Sequence, residues 1–318
     1  MSAATMAERV EEYLAYRHAL GYQVRIEGQM LRSFARFADA AGHRGPLTVE
    51  IALRWSRLPE QAARLYQARR LEVVRTLARY LAAREPGTEV PPRGLLGPAH
   101  ARRPAFTYSQ ADIAALVAAA RTLPPADGLR PHTYATLIGL LACTGLRISE
   151  ALALRADDFD GPAGVLTVRQ TKFHKSRLVP LHRSALEPLQ AYARDRDRRH
   201  PRQGDRPFFV SAAGTALPYG TVRHTFHALL RQALPGVRPT GRVRPRLHDL
   251  RHTFACRCLL GWYRDGTDIH RAIDRLSAYL GHAKVTDTYW YLTGVPELFA
   301  LAAARFEQHA PLLPGDSP

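Results

Sequence analysis

Four separated stretches of the chain contain several side chains that could bind a phosphate or transfer a proton. They are TGLRISEALAL (144–154), TKFHKSRLVPL (171–181), HDLRHTFA (248–255) and LGHAKVTDTYWYL (280–292). Planar guanidinium groups suit the paired oxygens of a phosphodiester, imidazoles can transfer protons, and a phenol can act as a nucleophile. These residue types together favour chemistry on phosphate esters.

The stretch RLHDLRHTF (246–254) predicts a helix start with one phosphate-facing side. His248 and Arg251 lie three residues apart, so on a helix they share a face and can reach the same group. Asp249 and His252 form a second pair, rotated from the first, and we interpret His252 as a core residue. A metal site built on His248 and Asp249 is disfavoured, because no matching histidine pattern lies upstream.

Lysine is scarce in this chain. Only three of its 45 basic residues are lysines, namely Lys172, Lys175 and Lys284. Arginine stays protonated in proteins whereas lysine can give up a proton, so a retained lysine is a candidate proton donor. Two of the three fall between the β-patterned runs 164–170 and 177–181, which predicts a hairpin with Lys172 and Lys175 at its tip.

The charge balance predicts a polyanionic partner. The 318 residues carry a formal net charge of +17 and a pI near 10.5, which is most simply explained by nucleic acid binding. No segment approaches the ~18 apolar residues of a spanning helix, and the N-terminus lacks an apolar signal core, so neither a membrane role nor export is predicted. The three cysteines, an odd number, indicate a reduced, intracellular protein. With nucleic acid as the expected partner, we expect a cytoplasmic, nucleoid-associated protein of a bacterium.

A chain of this length is expected to form two domains. Glycine, proline and capping signals predict four helices within 1–85, the third capped by Thr48 and the fourth running from Pro59 to about Arg84. The proline- and glycine-rich segment 86–105 is predicted to be a linker. The second domain, 106–318, is predicted to be helical around a small antiparallel β-sheet, so the fold class is mainly α.

Local signals place several elements of the second domain. Ser109 and Asp112 form a capping-box pattern before an apolar helix. The next helix is predicted to end near Gly145, and a further one to carry Arg147 in its first turn. PFFVS (207–211) is a candidate third strand.

The order and spacing of the four stretches, with their flanking residues, resemble the catalytic domain of the tyrosine recombinase (phage integrase) family over about 106–294. Residues 1–85 resemble the family's core-binding domain in length, helicity and charge. The resemblance implies that Arg147 and Arg251 bind the phosphate, that His248 acts in proton transfer and positioning, and that His282 hydrogen-bonds the phosphate.

The resemblance also implies a tyrosine nucleophile and a lysine general acid. The family's tyrosine lies nine residues after the second histidine, which selects Tyr291, with Tyr289 as the rival on another helical face. Lys172 matches the hairpin lysine that protonates the leaving oxygen. The tip reads Thr-Lys-Phe where the family commonly has Gly-Lys-Gly, so Lys175 stays an alternative.

The sequence suggests further DNA contacts and an assembly. Candidate contacts are Arg75, Arg79, Arg102, Arg103, Lys175 and Arg177. The resemblance implies a homotetramer on two double-stranded DNA recombination sites. A C-terminal helix at about 296–310 packs either on its own domain or, as we favour, on a neighbouring protomer. We predict no cofactor and no metal, because fixed cations can stabilise the charge and no carboxylates cluster to hold magnesium.

The predicted function is that of a site-specific recombinase or integrase acting through a 3′-phosphotyrosyl intermediate, on a mobile element or replicon. Three alternatives stay open: a type IB topoisomerase with a similar set of catalytic residues, a DNA-binding factor that has lost catalysis and, more distantly, a metal-dependent nuclease. The spacing from His282 to Tyr291 and the hairpin favour the recombinase over the topoisomerase.

Overall fold

The computed structural model describes residues 4–100, 104–169, 176–201, 206–237, 244–282 and 284–291, together with the single residues 297 and 303. The chain divides into two compact units, Met1–Arg102 and Arg103–Pro318. Within the described residues, no helix is both long enough and apolar enough to cross a membrane.

The first unit is built from four helices around an apolar core that includes Phe34, Trp55 and Leu77. Thr48 caps the third helix as predicted, because its side chain accepts a hydrogen bond from the Ile51 backbone. The fourth helix begins later than Pro59, since a turn intervenes there. The helices are α1 (Met6–Ala19), α2 (Arg25–Ala40), α3 (Val49–Arg57) and α4 (Arg64–Ala82).

Much of the segment predicted as a linker packs on this first unit. Val90 and Leu96 contact its apolar core. The Glu89 carboxylate accepts a hydrogen bond from the Val49 backbone nitrogen at 2.6 Å, which satisfies a free donor at the start of α3. The Arg75 Nε donates to the Pro91 carbonyl oxygen at 2.9 Å. The chain therefore follows the helical unit before it enters the second one.

In the second unit, helices surround a small β-sheet, and the apolar core includes Leu137, Leu166 and Phe226. Ser109 and Asp112 form the predicted capping box. The elements are α5 (Gln110–Arg121), α6 (Leu129–Thr144), α7 (Ile148–Ala153), β1 (Phe159–Asp160), β2 (Val165–Val168), β3 (Arg177–Pro180), α8 (Arg183–Arg199), α9 (Tyr219–Ala233), α10 (Leu247–Arg264), α11 (Ile269–Leu280) and α12 (Thr286–Tyr289).

The sheet has the antiparallel order β1-β2-β3, with Val168 opposite Arg177 and Leu166 opposite both Phe159 and Val179. The hairpin strands are those that the sequence predicts, and the tip at 170–175 lies outside the described residues. The prediction of a third strand at 207–211 is wrong. That segment forms only isolated bridges, Arg155 with Pro207 and Val210 with Ala216, and the two-residue β1 takes the place beside β2.

Candidate functional site

The first part of the site is the sharp turn between α6 and α7. Gly145 ends α6 with a φ of +62°, a left-handed conformation that side chains disfavour. Arg147 then stands at the N-cap of α7, one residue before the first turn in which the sequence places it. Its backbone nitrogen donates to the Glu150 carboxylate at 2.9 Å, and this bond starts the helix at Ile148.

The second part is the first turn of α10. Arg246 is the N-cap of α10, and its backbone nitrogen donates to the fully buried carboxylate of Asp249, three residues later, at 2.8 Å. His248 and Arg251 lie three residues apart on this helix. His248 reaches the surface, yet the protein packed around it and the positive charge of Arg251 lower its pKa below the usual value.

The carboxyl end of α11 supplies the acceptors that gather the arginines. The Leu280 carbonyl oxygen accepts from Arg251 Nη2 at 2.7 Å and from Arg147 Nη1 at 3.4 Å. The Gly281 carbonyl oxygen accepts from Arg147 Nη2 at 3.3 Å. The Tyr279 carbonyl oxygen accepts from Arg177 Nε at 2.8 Å. The last carbonyls of a helix lack partners within it and carry a partial negative charge, so they suit cations.

Glu150 links two of these arginines. Its carboxylate accepts from Arg147 Nη1 at 2.8 Å and from Arg177 at 2.8 and 3.1 Å. Burial alone would raise the pKa of Glu150, but the hydrogen bonds from Arg177 and from the backbone of Arg147 outweigh it and lower the pKa to about 2. Glu150 is therefore ionised at neutral pH.

Arg251 is almost completely enclosed, with 2% of its surface exposed. Its Nη1 donates to the Gly145 carbonyl oxygen at 2.9 Å. Burial, and then repulsion from Arg147, lower the pKa of Arg251, while its interaction with the Tyr291 side chain acts in the opposite direction. A guanidinium has five N–H donors, so N–H groups remain for a phosphate after these two carbonyl bonds.

His282 is held at the end of α11 by Thr288. Its Nδ1 lies 2.7 Å from the hydroxyl oxygen of Thr288, a side chain with no exposed surface. Burial, followed by the charges of Arg251 and Arg147, lowers the pKa of His282 to about 4. The imidazole is thus neutral at physiological pH, which leaves its other ring nitrogen able to act as donor or acceptor according to tautomer.

Tyr291 packs between two imidazole rings. Its ring centroid lies 5.3 Å from that of His252 and 5.9 Å from that of His282, the latter stacked at 22°. The Cys256 sulfur lies 3.3 Å from His252 Nε2 and 3.8 Å from the Tyr291 carbonyl oxygen. Tyr291 is 6% exposed, whereas the rival Tyr289 is 45% exposed.

The structure therefore brings Arg147, Arg251, His282 and Tyr291 together, with His248 on the neighbouring turn of α10. Four predicted residues, Lys172, Lys175, Arg102 and Arg103, lie outside the described residues, as does most of the segment 296–310. Arg79 is exposed. Arg75 and Arg177, with 14% and 13% of their side chains exposed, are bound to protein partners.

Two features of the site were not predicted from the sequence. Glu150 lies three residues after Arg147, a spacing that by itself indicates only an ordinary helix ion pair, and its place between two arginines emerges from the fold. Its spacing three residues after Arg147 in LRISE was the available signal. No pattern in the sequence indicates that His252 and Cys256 pack against Tyr291. In the described part of the chain, no three His, Cys, Asp or Glu side chains cluster as a metal site.

The phage integrase family matches this chain over residues 108–295, more than half of its length. The protein y4rB of Sinorhizobium fredii (strain NBRC 101917 / NGR234), named as an integrase/recombinase, is 43% identical over 310 residues, covering 96% of this chain and 98% of y4rB. The chain belongs to the phage integrase family. The tyrosine recombinase XerD of Mycobacterium tuberculosis (strain ATCC 25618 / H37Rv) is 34% identical over 226 residues, covering 70% of this recombinase and 68% of XerD.

Solved structures share the fold of this recombinase. The Tn1549 transposon integrase in complex with transposon right end DNA superposes with a TM-score of 0.71 at 16% identity, covering 97% of this chain and 100% of that one. The XerH recombinase bound to palindromic difH substrate gives 0.66 at 17% identity, covering 96% and 86%. The predicted fold class and the predicted enzyme class, a tyrosine-type site-specific DNA recombinase, are both confirmed.

Proposed function

We propose that this recombinase cuts and rejoins DNA strands with Tyr291 as nucleophile and Arg147, Arg251, His248, His282 and Lys172 as its partners. One observation carries the assignment: Tyr291 lies against His282 and interacts with Arg251, which shares the Leu280 carbonyl with Arg147. Two cations and a phenol therefore converge on one place, as a phosphodiester requires.

The reaction is an exchange of two phosphate ester bonds. The phenolic oxygen of Tyr291 attacks the phosphorus, its proton passes to the neutral His248, and a 3′-phosphotyrosyl bond forms as the bond to the 5′ oxygen breaks. Lys172 gives a proton to that leaving oxygen. The 5′-hydroxyl of a partner strand then gives its proton to Lys172 and attacks the phosphorus, and the bond to the Tyr291 oxygen breaks. His248 returns its proton to the released phenolate, so the bond energy is conserved.

Fixed positive charges stabilise the transition state. Arg147 and Arg251 offer N–H donors to the non-bridging oxygens, and partial burial strengthens these interactions relative to water. The His282 imidazole, oriented by Thr288, adds a hydrogen bond to the same phosphate. We propose that these groups suffice without a metal ion, so that cleavage proceeds in EDTA.

The proposed substrate is a recombination site on a mobile element, and the proposed assembly is a homotetramer on two such sites. The transposon integrase with the same fold and the near full-length likeness to y4rB support the first point. The net charge of +17 supports binding to the DNA backbone, in the bacterial cytoplasm at the nucleoid. Docking of the segment 296–310 on a neighbouring protomer would link the active sites.

Trapping of the covalent intermediate tests this proposal. The recombinase is expressed in bacteria that carry its flanking chromosomal region on a plasmid, the cells are lysed in SDS, and protein-linked DNA is sequenced to map the site. A nicked suicide duplex of that site should then form an adduct with the wild-type protein and with Tyr289→Phe in the presence of EDTA, but not with Tyr291→Phe.

Each other outcome would contradict a part of the proposal. An adduct with Tyr291→Phe that is absent in Tyr289→Phe would move the nucleophile to Tyr289. Loss of the wild-type adduct in EDTA would require a metal. Relaxation of arbitrary supercoiled plasmids by the monomer would favour a type IB topoisomerase, and DNA binding without any adduct would indicate a catalytically inactive factor.

A further inference from the structure

All three side-chain nitrogens of Arg177 donate hydrogen bonds to other parts of the protein. Arg177 stands on β3, and its side chain is 13% exposed. Its Nε donates to the Tyr279 carbonyl oxygen at 2.8 Å, while Nη1 and Nη2 donate to the two carboxylate oxygens of Glu150 at 3.1 and 2.8 Å. This paired geometry is the strong form of an arginine–carboxylate contact.

The Glu150 carboxylate that Arg177 holds is also bound to Arg147. One oxygen, Oε1, accepts from Arg147 Nη1 at 2.8 Å and from Arg177 Nη1 at 3.1 Å. Glu150 is only 8% exposed, so solvent screens its negative charge weakly. With Arg177 in place the three side chains carry a net charge of +1, and without it the carboxylate would neutralise Arg147 alone.

The turn after α11 leaves room for the Arg177 guanidinium. Gly281 has a φ of +67°, and a Cβ built there would lie 2.9 Å from Arg177 Nη1. Any other residue at this position would displace the guanidinium or distort the turn that also holds Arg147. The position of Arg177 is thus fixed from two sides, by the Glu150 carboxylate and by the glycine turn.

We propose that Arg177 is a positioning residue that neutralises Glu150, so that Arg147 keeps its positive charge and free N–H groups for the scissile phosphate. This inference rests on the proposed function of Arg147. It replaces the prediction that Arg177 contacts DNA itself. Glu150 orients Arg147 through two hydrogen bonds, and Arg177 removes the electrostatic penalty that this arrangement would otherwise impose on anion binding.

A double substitution distinguishes this role from a structural one. Arg177→Met leaves the Glu150 charge to Arg147 alone, so single-turnover cleavage of the suicide duplex should fall by about 10- to 100-fold. This is less than the ~10²- to 10³-fold loss on removal of a transition-state donor, because Arg147 itself stays in place. Glu150→Gln combined with Arg177→Met removes both charges and should recover most of that loss. If the double variant cleaves as slowly as Arg177→Met or more slowly, the inference is wrong.

An exposed pair of the same residue types provides the control. Arg183 and Glu187 form a surface ion pair at 2.9 Å, with 87% and 63% of their side chains exposed. Arg183→Met, alone and with Glu187→Gln, should cleave like the wild type, because exposed pairs contribute little. Equal defects in Arg183→Met and Arg177→Met would mean that general charge, rather than this site, governs the rate.

Equilibrium binding to a random-sequence duplex gives a readout that does not require catalysis. The affinity falls with rising salt, and in Arg177→Met the magnitude of the slope of log affinity against log salt should decrease by about 0.9, as for one lost phosphate contact. The double variant should restore the wild-type slope. An unchanged slope in Arg177→Met would overturn the inference. This binding measurement needs no covalent adduct, so it tests the role of Arg177 even if the wild-type protein forms none. Absence of a wild-type adduct would refute the proposed function but not the role of Arg177.

Arg177→Lys covers the case in which Arg177→Met fails to fold, as judged by a thermal melt. Lysine keeps the positive charge but not the paired geometry, so this variant should retain the wild-type salt slope and cleave within about tenfold of the wild type. If folded Arg177→Lys loses the slope and the activity as Arg177→Met is expected to, charge neutralisation is not the role of Arg177.

Discussion

Gly145→Ala should be among the most damaging single-methyl changes near the site. The residue has a φ of +62°, and its added Cβ would lie 2.5 Å from Phe254 Cδ1 and 3.2 Å from Leu280 Cδ2. The left-handed conformation costs a non-glycine residue about 1–2 kcal/mol. Overpacking of a filled region costs about 1–3 kcal/mol more.

These terms give a destabilisation of about 2–5 kcal/mol for Gly145→Ala. For a unit of this size each kcal/mol lowers Tm by about 2–4 °C, so a decrease of about 4–20 °C is expected. Gly139→Ala, in the same helix α6, is the matched control. Its Cβ would meet nothing within 4 Å and its φ is not positive, so Tm should rise slightly, by about 1–4 °C.

The same substitution should also affect cleavage. The Gly145 carbonyl oxygen binds Arg251 Nη1 at 2.9 Å, so a shift of the turn moves Arg251. At a temperature where the variant is fully folded, suicide-substrate cleavage should fall by about 10- to 100-fold, because small misplacements of a binding group are costly. A Tm equal to that of Gly139→Ala, with wild-type cleavage, would refute this reasoning for the turn.

Two further predictions concern His282. Its pKa is lowered to about 4 in the folded state, below the usual ~6.5, so the unfolded chain takes up the proton first. The contribution of the neutral His282 to the free energy of unfolding should therefore be fully present above about pH 6.5 and decrease as the pH falls toward 4. His282→Gln should flatten this pH dependence in thermal melts. Thr288→Val leaves the His282 Nδ1 without its partner, so stability should fall by about 1–3 kcal/mol and cleavage should slow, whereas Thr288→Ser should retain both. Equal cleavage by the two Thr288 variants would contradict the orienting role of the hydroxyl.

The elements that the sequence predicts correctly are those with short-range signals. The caps at Thr48 and Ser109, the end of α6 at Gly145 and the two hairpin strands each depend on residues within a few positions of one another. The strand predicted at 207–211 fails for the opposite reason. Pairing of 207–211 with the sheet would be a long-range contact, whereas β1 pairs with β2 across a short turn. With only two residues, β1 is too short to show any alternation in the sequence.

The candidate site shows the same division. The types and spacing of Arg147, Arg251, His282 and Tyr291 follow from three of the four motifs, and the structure brings these residues together. The partners that orient them do not follow from the sequence, because most are main-chain carbonyl oxygens at Gly145, Leu280 and Gly281. A carbonyl oxygen is present in every residue, so no residue type marks it.

The shared acceptors at the end of α11 have an evolutionary consequence. Because peptide oxygens hold the arginines, replacement of the Tyr279 or Leu280 side chain leaves the anchoring atoms in place. A change in the path of the main chain, such as an inserted residue, a deletion, a proline or the loss of Gly281 from the exit turn, would withdraw them. Relatives can therefore diverge widely in residue identity at this helix end and still hold the same cations, provided that its length and its exit turn are retained.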